Sequence, residues 1–325
     1  MLDEFYIEEL VKKKFPLKSA SFPTGIGDDA AVFKIKSDKI VFSCDSQVEG
    51  IHFDLRFLTP EQLAFRALSV ALSDLCAMGA KPRFFSNSLF LPRKTSKVFI
   101  DRLFKGFRNG CKYYDVNLIG GNVSKSESLA LDVSVVGEVV NDRFKERNGS
   151  RVGDLIYVTG NIGDASLGLD LLKEKKRFTL KEKLIISKYK SPRAKVEMGL
   201  FLGQLEFLTS MIDITDGLSL DLRRLLGPIS SRRGAKLTWE DIPKTDCILP
   251  PVSQNKLITS VMNGGDDYEL LFTIKKKRAK HFEDLCKRNN FKVFRIGSVD
   301  SSASLSLIKG GRVRNLKPKG FVHKF

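Results

Sequence analysis

Residues 141–173 read NDRFKERNGSRVGDLIYVTGNIGDASLGLDLLK, and the fold turns on them. The stretch 141–151 is polar and breaks the apolar pattern before it. The run 155–159 then has strand composition. A glycine-bounded loop follows, Gly160-Asn161-Ile162-Gly163, and 164–173 carries apolar residues at helical spacing. Strand, loop and helix in that order open a new α/β unit. The boundary is expected near residue 149, giving an N-terminal domain over 1–148 and a C-terminal domain over 149–325. A chain of 325 residues suits about two domains.

Upstream, 30–35 and 40–44 read as strands joined by the polar turn 36–39. Thr59 can cap a helix whose first position suits Pro60, and Gly79 ends it. Leu63, Ala67, Leu68, Ala71, Leu72 and Leu75 repeat at helical spacing within it. Residues 84–91 read as a strand, 97–114 as a helix and 129–140 as a long strand pair or a bent strand. Downstream, helices are expected over 192–205 and 218–226, and strands over 270–274 and 291–296. Neither a short repeat nor a low-complexity segment is present.

Hydrophobic residues make up 42% and charged residues 29% of the chain, which fits a globular protein. No apolar run approaches the ~20 residues of a membrane span. The opening MLDEFYIEELVKKKF has no apolar signal core, so a cytoplasmic location is expected. The five cysteines form no CxxC pair, and reduced thiols are the simplest reading. The three histidines, His52, His281 and His323, lie far apart and offer no local zinc pattern. A net charge of +17 reads first as a lysine-rich solvated surface, and second as attraction to nucleotides or phosphorylated metabolites. Basic runs without interleaved aromatics disfavour nucleic acid.

Against this basic background, aspartates recur beside Gly, Ser or Thr. They lie in Gly27-Asp28-Asp29, Ser43-Cys44-Asp45, Ser73-Asp74, Asp213-Ile214-Thr215-Asp216-Gly217 and Gly264-Gly265-Asp266-Asp267. Each alone reads more readily as structural. Asp28-Asp29 can form an Asx-turn or share a cation. Asp45, ending an apolar strand, can cap a turn or reach a site. Asp216 can cap the next helix or face one ligand with Asp213. Asp74 sits in an apolar helix, so it is exposed near the helix end or needs a partner, because an unpaired buried carboxylate costs several kcal/mol. Together they suit Mg²⁺, which takes hard oxygens and phosphates. GxxxxGK[ST], HRD, DFG and GxGxxG are all absent, and 160–163 is a weak phosphate-loop candidate.

With these motifs assembled, the chain resembles the thiamine-monophosphate kinase family. The blocks are GIGDDAAVF, CDSQVEGIHF (44–53), LSVALSDLCAMGAKPR (68–83), YYDVNLIGGN (113–122), RNGSRVGDLIYVTGNIGDASLGL (147–169), DITDGLSLDL (213–222), NGGDDYELLF (263–272) and the terminal KGFVHKF. The wider superfamily includes aminoimidazole ribonucleotide synthetase, selenophosphate synthetase and a hydrogenase-maturation protein.

The resemblance implies a two-domain, synthetase-like α/β (α+β) fold. Its N-terminal domain would bind metal and ATP and form a dimeric β-barrel, and its C-terminal domain would be a layered α/β unit. ATP would lie in a cleft built from both. The implied reaction is ATP- and Mg²⁺-dependent conversion of thiamine monophosphate to thiamine diphosphate, by direct in-line transfer in a homodimer. Asp29, Ser43, Cys44, Asp45, Asp74, Asn122, Asp213 and Asp216 match metal positions, with Asp45, Asp74 and Asp213 central to catalysis. Gly121, Asn122, Arg147 and Thr215 match ATP contacts, and His52, Asp266 and Phe321 match substrate contacts. Four positions depart from the family pattern. Asn122 replaces an Asp and brings no charge, Cys44 replaces a Thr, Asp266 replaces a Glu, and Pro318 stands at an aromatic position. The alternatives are another ATP-dependent enzyme of the superfamily, or a degenerate nucleotide-binding member.

Overall fold

The computed structural model describes residues 3–16, 21, 26, 30–174, 176–245 and 253–323. Asp28, Asp29 and Cys247 lie outside the described residues. The chain divides into two compact units. One runs to Leu75 and again from Ala80 to Arg143; the other takes Cys76–Gly79 and everything from Phe144.

The elements up to residue 138 are α1 (Glu4–Lys14), β1 (Ile40–Val48), α2 (Pro60–Ala77), β2 (Lys81–Pro92), α3 (Lys97–Tyr114), β3 (Asn117–Ser126) and β4 (Ala130–Glu138). Helix α2 begins as its sequence dictates. The Gln62 amide donates to Thr59 Oγ1 at 3.3 Å, and the Thr59 amide donates to Gln62 Oε1 at 3.0 Å. This reciprocal box satisfies two of the amides a helix start leaves open. Leu63, Ala67, Leu68, Ala71, Leu72 and Leu75 are all fully buried. Arg102 on α3 donates to both oxygens of Glu61, at 2.9 and 3.1 Å, tying α3 to the first turn of α2. That bond holds the Glu61 carboxyl down at about 2.

The first sheet has the order β1-β4-β2-β3. It is an open four-stranded sheet with β1 and β3 at its edges, not a closed barrel within the chain. Strands β1, β4 and β2 are antiparallel neighbours, and β2 pairs parallel with β3. Leu131, Val133 and Val135 alternate along β4 and are fully buried. Their partners on β1 are Gln47, Asp45 and Ser43, so these share that face.

Several expectations are corrected. Residues 30–35 form no named strand. Strand β1 continues to Val48 because its pairing with β4 runs on to Ala130, so Asp45 sits within the strand rather than at its end. The glycine-rich stretch that becomes β3 shows no alternation, and its pairing with β2 makes it a strand.

The second unit contains β5 (Leu155–Val158), α4 (Asp164–Glu174), α5 (Leu180–Lys190), α6 (Val196–Gly203), β6 (Leu208–Asp213), α7 (Leu218–Leu225) and β7 (Gly234–Thr238). It continues with α8 (Gln254–Asn263), β8 (Leu270–Ile274), α9 (Ala279–Arg288), β9 (Phe294–Asp300), β10 (Leu305–Lys309) and β11 (Arg312–Leu316). Its strands form one seven-stranded sheet, ordered β11-β10-β7-β9-β5-β8-β6. Ile156, Val158, Ile212 and Leu271 from the sheet pack with Leu218, Leu222 and Leu225 of α7 and with Val261 of α8. Strand β9 starts three residues later than expected, because the Phe291 amide turns back to the Cys286 carbonyl at the end of α9, 2.9 Å away. The helix expected over 192–205 is confined to α6, since residues 192–195 take no regular structure.

Leu72 lies at the centre of α2 with no exposed surface. Leu72→Ala is expected to destabilise the protein by about 2–5 kcal/mol, through lost transfer energy and the cavity left behind. Urea unfolding measures this; a change below about 1 kcal/mol would mean that the site collapses around the smaller side chain.

Candidate active site

In the first unit, the pleat of β1 sorts the Ser43-Cys44-Asp45 motif onto two faces. Side chains alternate along a strand. Ser43 and Asp45 face the same side as Val135 and Val133. There the Ser43 hydroxyl donates to Asp74 Oδ2 on α2. Asp74 is half-buried, so its charge is relieved both by this hydroxyl and by water. One turn-spaced series on α2 reaches β1 twice: Arg66 donates to Gln47 at 3.3 Å, and Asp74, eight residues on, meets Ser43.

The thiol of Cys44 lies on the other face. It donates to Asp132 Oδ1 at 2.8 Å, and Ser134 donates to it at 3.3 Å. Burial raises the Cys44 thiol above its ordinary range, and the Asp132 carboxylate adds to this. Cys76, Cys111 and Cys286 are also free thiols.

After β1 the chain turns at residues 49–53. The Val48 amide donates to His52 Nδ1 at 3.1 Å, which makes Nε2 the protonated nitrogen of a neutral ring. Asn122 and Gly121 sit on β3, at the opposite edge of the sheet from β1. Three strand spacings separate these edges, about 14 Å. Gly121 passes so close to β2 that a Cβ would meet the Asn87 carbonyl oxygen at 2.2 Å, so only glycine fits there. Gly121 and Asn122 line a pocket of about 430 Å³ together with Ile7, Val11, Asn87 and Phe104.

In the second unit, β6 ends at Asp213, which is 2% exposed. The loop 214–217 follows and α7 begins at Leu218. Asp216 pairs with Arg224 at 2.5 Å. The Asp266 amide donates to the Thr215 carbonyl at 2.8 Å, and the Tyr268 amide to the Ile214 carbonyl at 2.9 Å. Phe321, in the C-terminal segment, donates its amide to the Asp216 carbonyl at 3.0 Å. Its ring meets His323 edge-to-face, with centroids 4.8 Å apart. The fold thus brings Asp213, Thr215, Asp216, Asp266 and Phe321 to one loop, from three distant parts of the sequence. Arg147 is exposed, at the start of a short 3₁₀ turn. Asp29 falls outside the described residues.

The loop 160–163 does not remain open for phosphate. Asp267, buried, accepts from the Gly163 amide at 2.7 Å and the Ala165 amide at 3.3 Å. A carboxylate of the protein itself therefore occupies the start of α4. Burial pushes the Asp267 carboxyl well up, against the pull of those amides. Glu269, 2% exposed, is met by Lys195 at 2.8 Å and by the Thr159 hydroxyl at 2.7 Å.

Two family models match the chain: the AIR synthase related protein N-terminal domain over residues 27–139, and the corresponding C-terminal domain over 151–310. Thiamine-monophosphate kinase of Buchnera aphidicola subsp. Schizaphis graminum is 35% identical, over 99% of this chain and 98% of that protein. The chain belongs to the thiamine-monophosphate kinase family. The Aquifex aeolicus family member is 32% identical over 99% of this chain and 98% of its own. Among solved structures, the family member from Stenotrophomonas maltophilia K279a aligns with a TM-score of 0.83 at 26% identity, covering 94% of this chain and 96% of that one. AaThiL complexed with AMPPCP and TMP aligns with a TM-score of 0.73 at 30% identity, covering 98% and 96%.

Among the described residues, no three His, Cys, Asp or Glu side chains gather to hold a metal by themselves. Few protein donors is the usual mode of Mg²⁺, which keeps waters and takes phosphate oxygens. The oxygens of Ser43, Asp45 and Asp74 on one face suit such an ion; the thiol of Cys44 on the other does not.

Sequence reasoning gave no role to Asp221 and Glu269, and it grouped Asp267 with Asp266 in one acidic cluster; all three of Asp221, Asp267 and Glu269 are buried. The signal was present for Asp221, an acid in the first turn of a helix directly after a Gly-containing loop.

Asp132→Asn is expected to lower the Cys44 pKa, since it removes a negative charge and a carboxylate acceptor from the thiol. More thiolate would then be present at pH 8. Iodoacetamide labelling, read residue by residue by mass spectrometry, should be faster at Cys44 in the variant; an equal rate would rule out the Asp132 contact.

Proposed function

We propose that this chain transfers the γ-phosphoryl group of ATP to thiamine monophosphate, giving thiamine diphosphate and ADP. The observation that carries the reading is likeness along the whole chain to thiamine-monophosphate kinases, at 35% and 32% identity. The solved complex of one relative with AMPPCP, an ATP analogue, and TMP supports the same pair of substrates. A phosphate oxygen of thiamine monophosphate attacks the γ-phosphorus, the bond to the β-phosphate oxygen breaks, and ADP leaves with that electron pair. Such a transfer asks the protein for positioning and charge stabilisation more than for covalent chemistry.

In this reading, Ser43, Asp45 and Asp74 in the first unit and Asp213 and Asp216 in the second hold Mg²⁺, with Asp29 as a further ligand. When bound, Mg²⁺ supplies the positive charge that offsets the triphosphate. Asp45, Asp74 and Asp213 are the metal positions on which transfer depends. Gly121 and Asn122 approach the nucleotide, and the close-packed backbone at Gly121 supports that role. Thr215 offers a hydroxyl and Arg147 a guanidinium fork suited to phosphate. His52, Asp266 and Phe321 contact the acceptor; the ring of Phe321, 45% exposed and edge-on to His323, offers an aromatic surface for a heterocycle. Cys44 takes part through its backbone oxygen rather than its thiol.

The reading includes a homodimer in which the N-terminal strands of two copies close a shared barrel. Ile40 and Phe42, 53% and 64% exposed on the edge strand β1, support it, since exposed apolar edges favour pairing with another chain.

The direct test is ADP release from ATP with thiamine monophosphate as acceptor, with and without Mg²⁺. Turnover that needs both is expected; ADP release indifferent to the acceptor would overturn the assignment. Asp45→Asn and Asp74→Asn should each cut kcat by at least about 100-fold in folded protein, in keeping with loss of a group that stabilises transition-state charge. Wild-type turnover by either would remove that residue from the metal set. Asn122→Asp restores a charge at β3 and should lower the Mg²⁺ concentration giving half-maximal rate; an unchanged titration would mean that Asn122 is not near the ion.

A further inference from the structure

Asp221 is fully buried in the first turn of α7, and its carboxylate accepts four hydrogen bonds, three of them from one short loop. Its Oδ2 accepts from the amides of Thr215, Asp216 and Gly217, at 3.0, 3.0 and 3.1 Å. Its Oδ1 accepts from Arg224 at 2.7 Å, and Arg224 also holds Asp216. The carbonyls of the same loop point the other way and are taken up as well. Ile214 accepts from Tyr268, Thr215 from Asp266, and Asp216 from Phe321. Both backbone edges of residues 214–216 are thus bonded, the amide side mainly to one carboxylate and the carbonyl side to the segments around Asp266 and Phe321.

This arrangement is specific in its geometry. Gly217 has a φ of +126°, and a Cβ there would lie 2.8 Å from the Asn263 carbonyl carbon. The loop therefore turns in a way only glycine allows, and its three successive amides converge on a single acceptor. Burial pushes the Asp221 carboxyl up, while the amides and Arg224 pull it back toward ionisation. With its amides bonded inward, the loop presents side chains rather than N–H groups: the Thr215 hydroxyl and the Asp216 carboxylate.

We propose that Asp221 is a positioning residue for phosphoryl transfer. Through the one loop it holds, it keeps the nucleotide-side residues Thr215 and Asp216 in register with the acceptor-side residues Asp266 and Phe321. The inference rests on the kinase reading above and adds a residue to it that touches neither substrate. One buried carboxylate then couples two binding functions: disturbing it disturbs both, although Asp266 and Phe321 lie 45 and 100 residues away in sequence.

Asp221→Asn tests this at nearly constant volume. An amide oxygen accepts more weakly than a carboxylate, and the new NH₂ group would face the Arg224 guanidinium donor against donor. In the full-length protein, the amides of residues 215–217 should exchange with deuterium at least about tenfold faster, with β6 and β8 unchanged. The KM for ATP and the KM for thiamine monophosphate should both rise, and kcat/KM should fall by about 100-fold, as expected of misplacement on the ångström scale. A purely structural role would lower Tm and the active fraction while leaving both KM values of the folded enzyme unchanged, and that result would overturn the proposal. Should the variant fail to fold, hydrogen exchange of the wild-type chain decides. Amides 215–217 exchanging as fast as those of the exposed Gly310-Gly311 turn would contradict the anchoring. Failure of the wild type to use thiamine monophosphate would sink the kinase reading itself. Wild-type turnover with unaltered kinetics in Asp221→Asn would sink only the positioning role.

Discussion

The carboxylate of Asp221 accepts three consecutive amides and leans on Arg224, and the turn from β6 into α7 has its shape because of those bonds. A loop that bends sharply at a helix start leaves amides without partners, and each would cost about 1–3 kcal/mol if buried unpaired. An acid four residues beyond Gly217 meets that need from inside the helix. Once the amides are bonded, the carbonyls on the other side have fixed directions. The segments around Asp266, Tyr268 and Phe321 bond to them. The placement of several candidate site residues in the second unit follows from this single anchor.

Buried acids elsewhere are stabilised in different ways, and the difference separates scaffold from candidate site. Asp267 caps the start of α4, and Glu269 is bonded to Lys195 and Thr159. Both have protein partners and little access to solvent, so they hold structure. Asp74 and Asp216 are half-buried, each with one flexible partner, Ser43 or Arg224. A hydroxyl or an exposed guanidinium can be displaced by a cation or a phosphate at modest cost, whereas a helix cap cannot.

Much of this was legible before any coordinates. The capped helix α2, the helix α3, strand β8 and the family itself could be read from periodicity, capping residues and motif order. Other parts were not. Strand β3 is glycine-rich and has no alternation of its own; its strand character comes from a neighbour in the sheet. The extent of β1 was hidden because polar residues in a half-open sheet look like the end of a strand. Cys44 stands at a metal position by family resemblance, and the pleat of β1 sends its side chain to the face opposite those of Ser43 and Asp45. The loop 160–163 looked open to phosphate because Asp267, which fills it, is more than 100 residues away in sequence.

The sequence by itself determined the two-part α/β organisation, the family and the types of residue available for chemistry, because these depend on local periodicity and on motif order along the chain. Tertiary structure alone decided which acids are bonded into the scaffold and which remain accessible. A carboxylate's role is set by the donors that surround it, and nearly all of those donors come from elsewhere in the chain.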